Sequence, residues 1–258
     1  MESGLKEGKY IYCIIESAQP QSFGPLGIGQ RGDELHLVCF GAIAAVVSDS
    51  PIKRYPVSSD NTFAHEKAIE EVMKEYPVLP VRFATIAENE EKVKKILEKE
   101  YERCIGLLDE IKGKKELGLK AVFKREIVYE EILEQYKEIR RLKEIIASKP
   151  PAETYRQRMK IGEMVEQALE KEKQKHKEIM LDILEPLAED IKINNTYGER
   201  MILNAAFLVD ETKEPEFDRK VQDLDAKYSR KIKFKYVGTL PPFNFVNLVI
   251  QPGEDGCF

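Results

Sequence analysis

Between Ala152 and Ile193 the sequence carries helical apolar stripes at both ends and none in the middle. Met159, Met164, Val165, Ala168 and Leu169 form the first stripe, and Ile179, Met180, Ile183, Leu184, Leu187 and Ile191 the second. Between them, Glu170–Glu178 (EKEKQKHKE) holds nine residues and no apolar one. A continuous helix over this stretch extends about 60 Å at 1.5 Å per residue, longer than a small domain is wide. The reading is therefore a long helical segment whose polar middle is a solvated, protruding turn, with Pro186 kinking it or starting a new helix. Such an arm makes Glu170, Lys173 and His176 candidate partner-binding residues.

The rest of the chain alternates strands and shorter helices. Tyr10–Glu16 reads as a strand, and Leu35–Phe40 and Ala42–Ser48 as two more around Gly41. Ser59 or Asp60 caps a helix through Ala64, Ala68, Ile69, Val72 and Met73, which Pro77 ends. Val78–Ile86 reads as a strand that Pro80 confines to an edge or bulge. Glu88–Leu108 is one helix with Val93, Ile96, Leu97, Tyr101 and Leu108 on its apolar face. Beyond a polar boundary at 112–117 come a strand (Leu119–Phe123), helices over about 127–193, a strand (Arg200–Val209), a helix (Pro215–Tyr228), a strand (Lys231–Val237) and a last apolar run, Phe245–Ile250. Pro150 and Pro151 interrupt the helical stretch, because the residue before a proline is pushed out of the α region. The expected fold class is α+β. Residues 1–112 form a mixed domain and 117–258 a small sheet with helices on one face, a variant of the ferredoxin-like class. A chain of 258 residues fits that two-domain division.

Charge excludes more than it assigns. The chain has 41 basic and 46 acidic side chains, a net −5, and residues 1–116 alone hold 16 and 20. Non-specific nucleic-acid binding lives on a basic excess that is missing here. The apolar runs Ala42–Val47 and Ala205–Val209 fall far short of the ~20 residues that span a bilayer. The first residues lack the charged-then-apolar pattern of a signal peptide. Cys13, Cys39, Cys104 and Cys257 are scattered without a CxxC pair, which points to reduced thiols and a cytoplasmic chain. Cys257 is penultimate, so no prenylation box is formed.

Chemical motifs are thin. Gly27, Gly29 and Gly32 spell GxGxxG, but a strand follows where a phosphate-binding helix must open, and Asp33 and Glu34 stand where phosphates would sit. The expectation is an exposed loop using glycine for positive φ. His65-Glu66 begins like a zincin motif and lacks the second histidine. His36, His65 and His176 are too dispersed for a ligand set. Arg82 is a charge inside the apolar run Val81–Phe83, expected to pair with Glu66 or Asp60. No nucleophile elbow is present. No cofactor, metal or catalytic constellation follows from these residues.

Taken together, Tyr10-Ile11-Tyr12-Cys13-Ile14-Ile15, Val46-Val47-Ser48, Ala64-His65-Glu66, Val78-Leu79-Pro80-Val81-Arg82-Phe83-Ala84-Thr85 and the stretch from Gly238 to Val246 resemble the gas vesicle protein L/F family over nearly the whole chain. Two departures stand out. Ala84 follows Arg82-Phe83 where the family usually has glycine. Gly238-Thr239-Leu240-Pro241-Pro242-Phe243 replaces a Gly-Pro-Trp-Pro-Pro-Tyr tendency, and the chain has no tryptophan. The resemblance implies a two-domain α+β protein with a C-terminal domain like a modified ferredoxin fold. It also implies a non-enzymatic role in gas vesicle assembly, as a minor component or chaperone-like partner of the main shell protein, alongside other accessory proteins. The family-motif residues it singles out are His65, Glu66, Pro80, Arg82, Phe83, Gly238, Pro241, Pro242 and Phe243, with no catalytic residue among them. The competing reading is an enzyme using a cleft of His65, Glu66 and Arg82, which requires those side chains to converge.

Overall fold

The computed structural model describes residues 5–246, 248 and 250. The expected site of Cys257, and part of the apolar run Phe245–Ile250, lie outside them. The chain divides into two compact units, one of residues 1–116 with 239–258, the other of 117–238. The C-terminal stretch from Thr239, expected in the second domain, thus groups with the first unit.

In the first unit β1 (Glu7–Glu16), β2 (His36–Phe40), β3 (Ile43–Pro51) and β4 (Leu79–Pro80) form a sheet in the order β2-β3-β1-β4, and β5 (Ile86–Ala87) also pairs with β1. α1 (Ser59–Met73) covers one face; α2 (Glu90–Lys99) and α3 (Tyr101–Ile111) cover the other. A central strand buried on both faces is apolar without alternation, which accounts for YIYCII. Ile11 and Ile14 pack toward α2 and α3, while Tyr10, Tyr12, Cys13 and Ile15 pack toward α1. A bulge between Ile11 and Cys13 puts Tyr12 and Cys13 on the same side.

Three local expectations change. The cap of α1 is Ser58, whose hydroxyl accepts from the Asn61 amide at 3.3 Å. The stretch 88–108 is two helices, broken at Glu100 (φ −97°, ψ 8°). Val78–Ile86 is two short strands around a turn in which Ala84 is left-handed, with φ +63°. Pro80 does sit at the sheet edge. The GxGxxG loop is a folded structural loop. Of its three glycines, Gly29 and Gly32 have positive φ while Gly27 is extended at φ −60°, and the Ile28 amide donates to Tyr12 Oη at 2.7 Å.

The second unit runs β6 (Lys114–Phe123), α4 (Arg125–Gln135), α5 (Lys137–Ala147), α6 (Tyr155–Leu184), β7 (Asp190–Ile193), β8 (Met201–Asp210), α7 (Glu214–Tyr228) and β9 (Ile232–Leu240). Its sheet order, β7-β8-β6-β9, is that of a βαββαβ ferredoxin-like fold with extra helices after the first strand. β7 was not expected, and it replaces the apolar run after Phe245 as the fourth strand. Leu117, Leu119, Ala121 and Phe123 alternate into a core shared with Phe207, Phe217 and Met180.

α6 is one continuous helix of 30 residues, and Pro186 opens a short 3-10 turn after it. Its polar run is solvated on one side only, because Glu172 and His176 are buried, at 7% and 5% exposure. The sparsely packed part lies earlier in the chain: from 140 to 167, Ile146 and Thr154 are the buried residues.

Candidate functional site

A cleft of about 460 Å³ opens in the first unit. α1 contributes Thr62, His65 and Glu66, on one face because they are three and four residues apart. The edge strand and its turn contribute Pro80, Val81, Arg82 and Phe83. Phe243, Val246 and Leu248 close it from the C-terminal segment, where Leu248 forms a parallel bridge with Val81. Six of the nine motif residues therefore meet in one place.

Pro241 and Pro242 are buried and hold the turn that presents Phe243. The Phe243 amide donates to the Pro241 carbonyl at 2.7 Å and the Val246 amide to the Pro242 carbonyl at 2.9 Å. Gly238 stands apart in β9, where an added Cβ would lie 3.4 Å from Leu117. The segment is anchored by Glu116, 2% exposed, whose carboxylate accepts from Asn244 N at 2.9 Å and from Asn244 Nδ2 at 2.6 Å. Burial raises the Glu116 carboxyl, and the two Asn244 bonds oppose that shift. No local sequence signal marks this pair, whose partners are 128 residues apart.

His65 is 3% exposed and enclosed by aromatic rings. Tyr12 stacks on it at 5.7 Å between centroids, and Phe83 meets it edge-on at 5.6 Å. Tyr10 Oη lies 3.1 Å from His65 Nδ1 and accepts from the Ala84 amide at 2.9 Å. The Tyr10 hydroxyl can donate to Nδ1 while it accepts from Ala84, and in that arrangement the ring carries its own hydrogen on Nε2. Nε2 is buried without a well-formed hydrogen bond, and the neighbouring Val81 backbone favours the protonated form against the larger effect of burial. Burial pulls the imidazole down to about 4, so the ring is neutral at ordinary pH. The same burial pushes the Tyr10 phenol up and carries Tyr12 to about 12.

Arg82 is exposed, and among the described residues its side chain pairs with neither Glu66 nor Asp60. An arginine at the rim of an apolar cleft keeps its guanidinium in water. His65, Glu66 and Arg82 share the cleft and are joined by no hydrogen bond. Its walls are mostly apolar, with one neutral donor, one carboxylate and one cation at the margin. Such a surface fits an extended or helical apolar segment. Phe63 and Phe243, 65% and 42% exposed, add aromatic area on α1 and the C-terminal turn.

The second unit treats its three candidates differently. Glu170 and Lys173 pair at 2.8 Å and line a groove of about 520 Å³ with Tyr129, Glu166 and Glu199. His176 faces inward between Phe123 and Tyr228, its Nδ1 2.8 Å from the Glu172 carbonyl, so it is a core residue. Lys231 is also buried, bonded to Glu131 at 2.6 Å and Glu172 at 3.2 Å, whereas Lys233 and Lys235 face water. Among the described residues no group of His, Cys, Asp or Glu is arranged to hold a metal, and no helix is long and apolar enough to cross a membrane.

Known proteins share this architecture. The gas vesicle protein GvpF structures from Anabaena sp. PCC7120 and from Microcystis aeruginosa superpose with TM-scores of 0.80 and 0.75, each at 22% identity, covering 94% and 93% of this chain and 99% of theirs. In sequence, gas vesicle protein F of Streptomyces sp. (strain CB03234) is 27% identical over 92% of this chain and 98% of its own. That of Dolichospermum flosaquae is 23% identical over 93% and 97%. The sequence model of the family described as "Gas vesicle synthesis protein GvpL/GvpF" matches residues 8–247, and the chain belongs to that family.

Proposed function

We propose that this protein is a non-enzymatic accessory of gas vesicle formation, a minor component or chaperone-like partner of the main shell protein. It works in the cytoplasm and at the growing vesicle, together with other accessory proteins. The observation that carries this reading is the meeting of Pro80, Phe83 and Phe243 with His65 in one apolar cleft. The shell protein is small and hydrophobic in the family the chain resembles, and an apolar segment held before assembly needs such a trough. A neutral, buried His65 suits that task, since it supports the cleft wall without placing a charge against the apolar guest. The enzyme reading draws on the same cleft, but it needs a base in contact with Glu66 or Arg82, and His65 hydrogen-bonds to Tyr10 instead.

The test pairs two measurements. Deleting the chain from a vesicle-forming gene set while the shell protein is still expressed should abolish flotation. A co-expression pull-down should recover the shell protein with the wild-type chain and lose it, by about tenfold or more, with the double variant Phe83→Ser/Phe243→Ser. Recovery of nothing by the wild type, under conditions where other accessory proteins are recovered, would sink the proposal.

A further inference from the structure

The chain is acidic overall, yet its helical hairpin is not. Residues 137–162 carry eight basic and three acidic side chains, a net +5, while the rest of the chain carries −10. The hairpin is α5, the turn through Pro150 and Pro151, and the first two turns of α6. The two helices pack on each other. Ile139 and Ile146 on α5, with Ile161, Met164 and Val165 on α6, turn inward. All eight cations are exposed.

Their pairing state is the informative part. Arg140 lies 3.7 Å from Glu144, and Arg158 Nε donates to Thr154 Oγ1 at 2.9 Å. Among the described residues none of the other cations, Lys137, Arg141, Lys143, Lys149, Arg156 and Lys160, meets a carboxylate. Elsewhere in the chain, Lys9, Arg31, Lys74 and Lys213 do. Exposed apolar side chains stand beside the unpaired cations: Ile145 at 47%, Tyr155 at 65% and Met159 at 52%. On α6, Arg156, Met159 and Lys160 recur at three- and four-residue spacing, so they share the outward face. On α5, Lys137, Arg140, Arg141 and Glu144 do the same.

From this arrangement we infer that the α5–α6 hairpin is a docking surface for an acidic amphipathic helix on a partner protein. The partner's glutamates and aspartates meet the unpaired cations, and its apolar residues cover Tyr155, Met159 and Ile145. Charge complementarity selects the partner's sign and speeds encounter, while the apolar ridge supplies contact area. A phosphate backbone would be served by cations alone and leaves the apolar ridge unexplained. Insertion into a bilayer surface calls for a wider apolar face than three side chains. This surface belongs to the second unit and stands independently of the cleft.

The experiment uses the full chain and a labelled synthetic helix with glutamates on one face and leucines on the other, read by fluorescence anisotropy. Binding should weaken by about tenfold or more from low salt to physiological ionic strength, where the screening length is about 8 Å. The variant Arg140→Glu/Arg141→Glu/Arg156→Glu/Lys160→Glu should lose about tenfold or more, and Tyr155→Ser/Met159→Ser about fivefold. A variant with the same number of reversals at the exposed Lys94, Lys95, Lys99 and Arg219 should bind as the wild type does. Circular dichroism confirms folding of each, and the corresponding four-site glutamine variant is read in the same way if the glutamate variant fails to fold. The inference is overturned if the hairpin reversal leaves binding unchanged or if the control reversal weakens it equally. It is likewise overturned if phosphatidylglycerol vesicles or an RNA oligonucleotide bind at lower concentration than the peptide.

Discussion

Tyr10 Oη accepts a hydrogen bond from the Ala84 amide at 2.9 Å, and Ala84 holds φ at +63°, where an L-residue is strained. The phenol of a central strand thus fixes the turn that carries Arg82 and Phe83 into the cleft. Thr85 adds a second clamp, its hydroxyl donating to the Arg82 carbonyl at 2.7 Å. The family's usual glycine at this position is what such a φ favours. The chain keeps the conformation without the residue that adopts it freely.

Replacing Ala84 with glycine should therefore stabilise the protein. Relief of the left-handed conformation is worth about 1–2 kcal/mol, and the extra chain entropy of unfolded glycine returns about 0.5–1 kcal/mol of it. A net gain of about 0.5–1 kcal/mol should appear as a higher urea midpoint with an unchanged slope. Ala84→Val, with a β-branched side chain at the same φ, should lower the midpoint. Equal midpoints for all three chains would show that the turn carries no strain.

Removing the other end of the bond tests the network. Tyr10→Phe leaves the Ala84 amide and His65 Nδ1 without their common partner. Loss of one buried partner costs about 1–3 kcal/mol. The same variant should weaken shell-protein recovery, because the turn that positions Phe83 loses its anchor. A midpoint within error of the wild type would remove Tyr10 from this role.

His65 makes stability depend on pH. Burial lowers its pKa from 6.5 to about 4, so between those values the unfolded chain binds a proton that the folded chain refuses. Stability therefore falls as pH drops through that window, by about 3 kcal/mol at one kcal-scale step of 1.36 per pH unit. His176, also lowered by burial, contributes with the same sign. Glu116 acts in the opposite sense, since its raised carboxyl loses stability as pH climbs through the folded value. Comparing His65→Phe with the wild type isolates the first contribution. The variant's urea midpoint should fall less steeply between pH 6.5 and pH 4, and parallel curves would refute the assignment.

What could be read without coordinates followed from burial on both faces. The unbroken run Tyr10–Ile15 reads as a strand, which the sheet order places centrally, and Ala68, Ile69 and Val72 read as the inner face of a helix. The split in Val78–Ile86 was hidden because an alanine gives no signal of a positive φ. β7 was hidden because Ile191 fits the helical stripe before it as well as the period of a strand. The buried side of the Glu170–Glu178 run was hidden for a different reason. Polar residues enter a core when a partner meets them, and Lys231 is 59 residues from Glu172. The cleft itself was visible only as separate motifs. Nothing local in Phe243 or Leu248 says that the chain's end returns to Val81.

The Lys231 network makes the last prediction. Lys231 Nζ binds Glu131 at 2.6 Å and Glu172 at 3.2 Å, and sits 5.3 Å from the Phe123 ring centroid. Glu172 lies on α6 and Lys231 at the start of β9, so the pair fixes the register of the long helix against the sheet. Lys231→Met strands a buried carboxylate and should cost about 3–5 kcal/mol. The double variant Lys231→Met/Glu172→Leu removes both charges and should recover most of that loss, because an apolar pair of similar volume serves as well in a core. Urea melts of the wild type, both single variants and the double variant give the coupling directly. Additive losses would mean that the two side chains are neighbours without being partners, and α6 would then owe its register to its apolar core residues Ala168, Leu169, Met180 and Leu184.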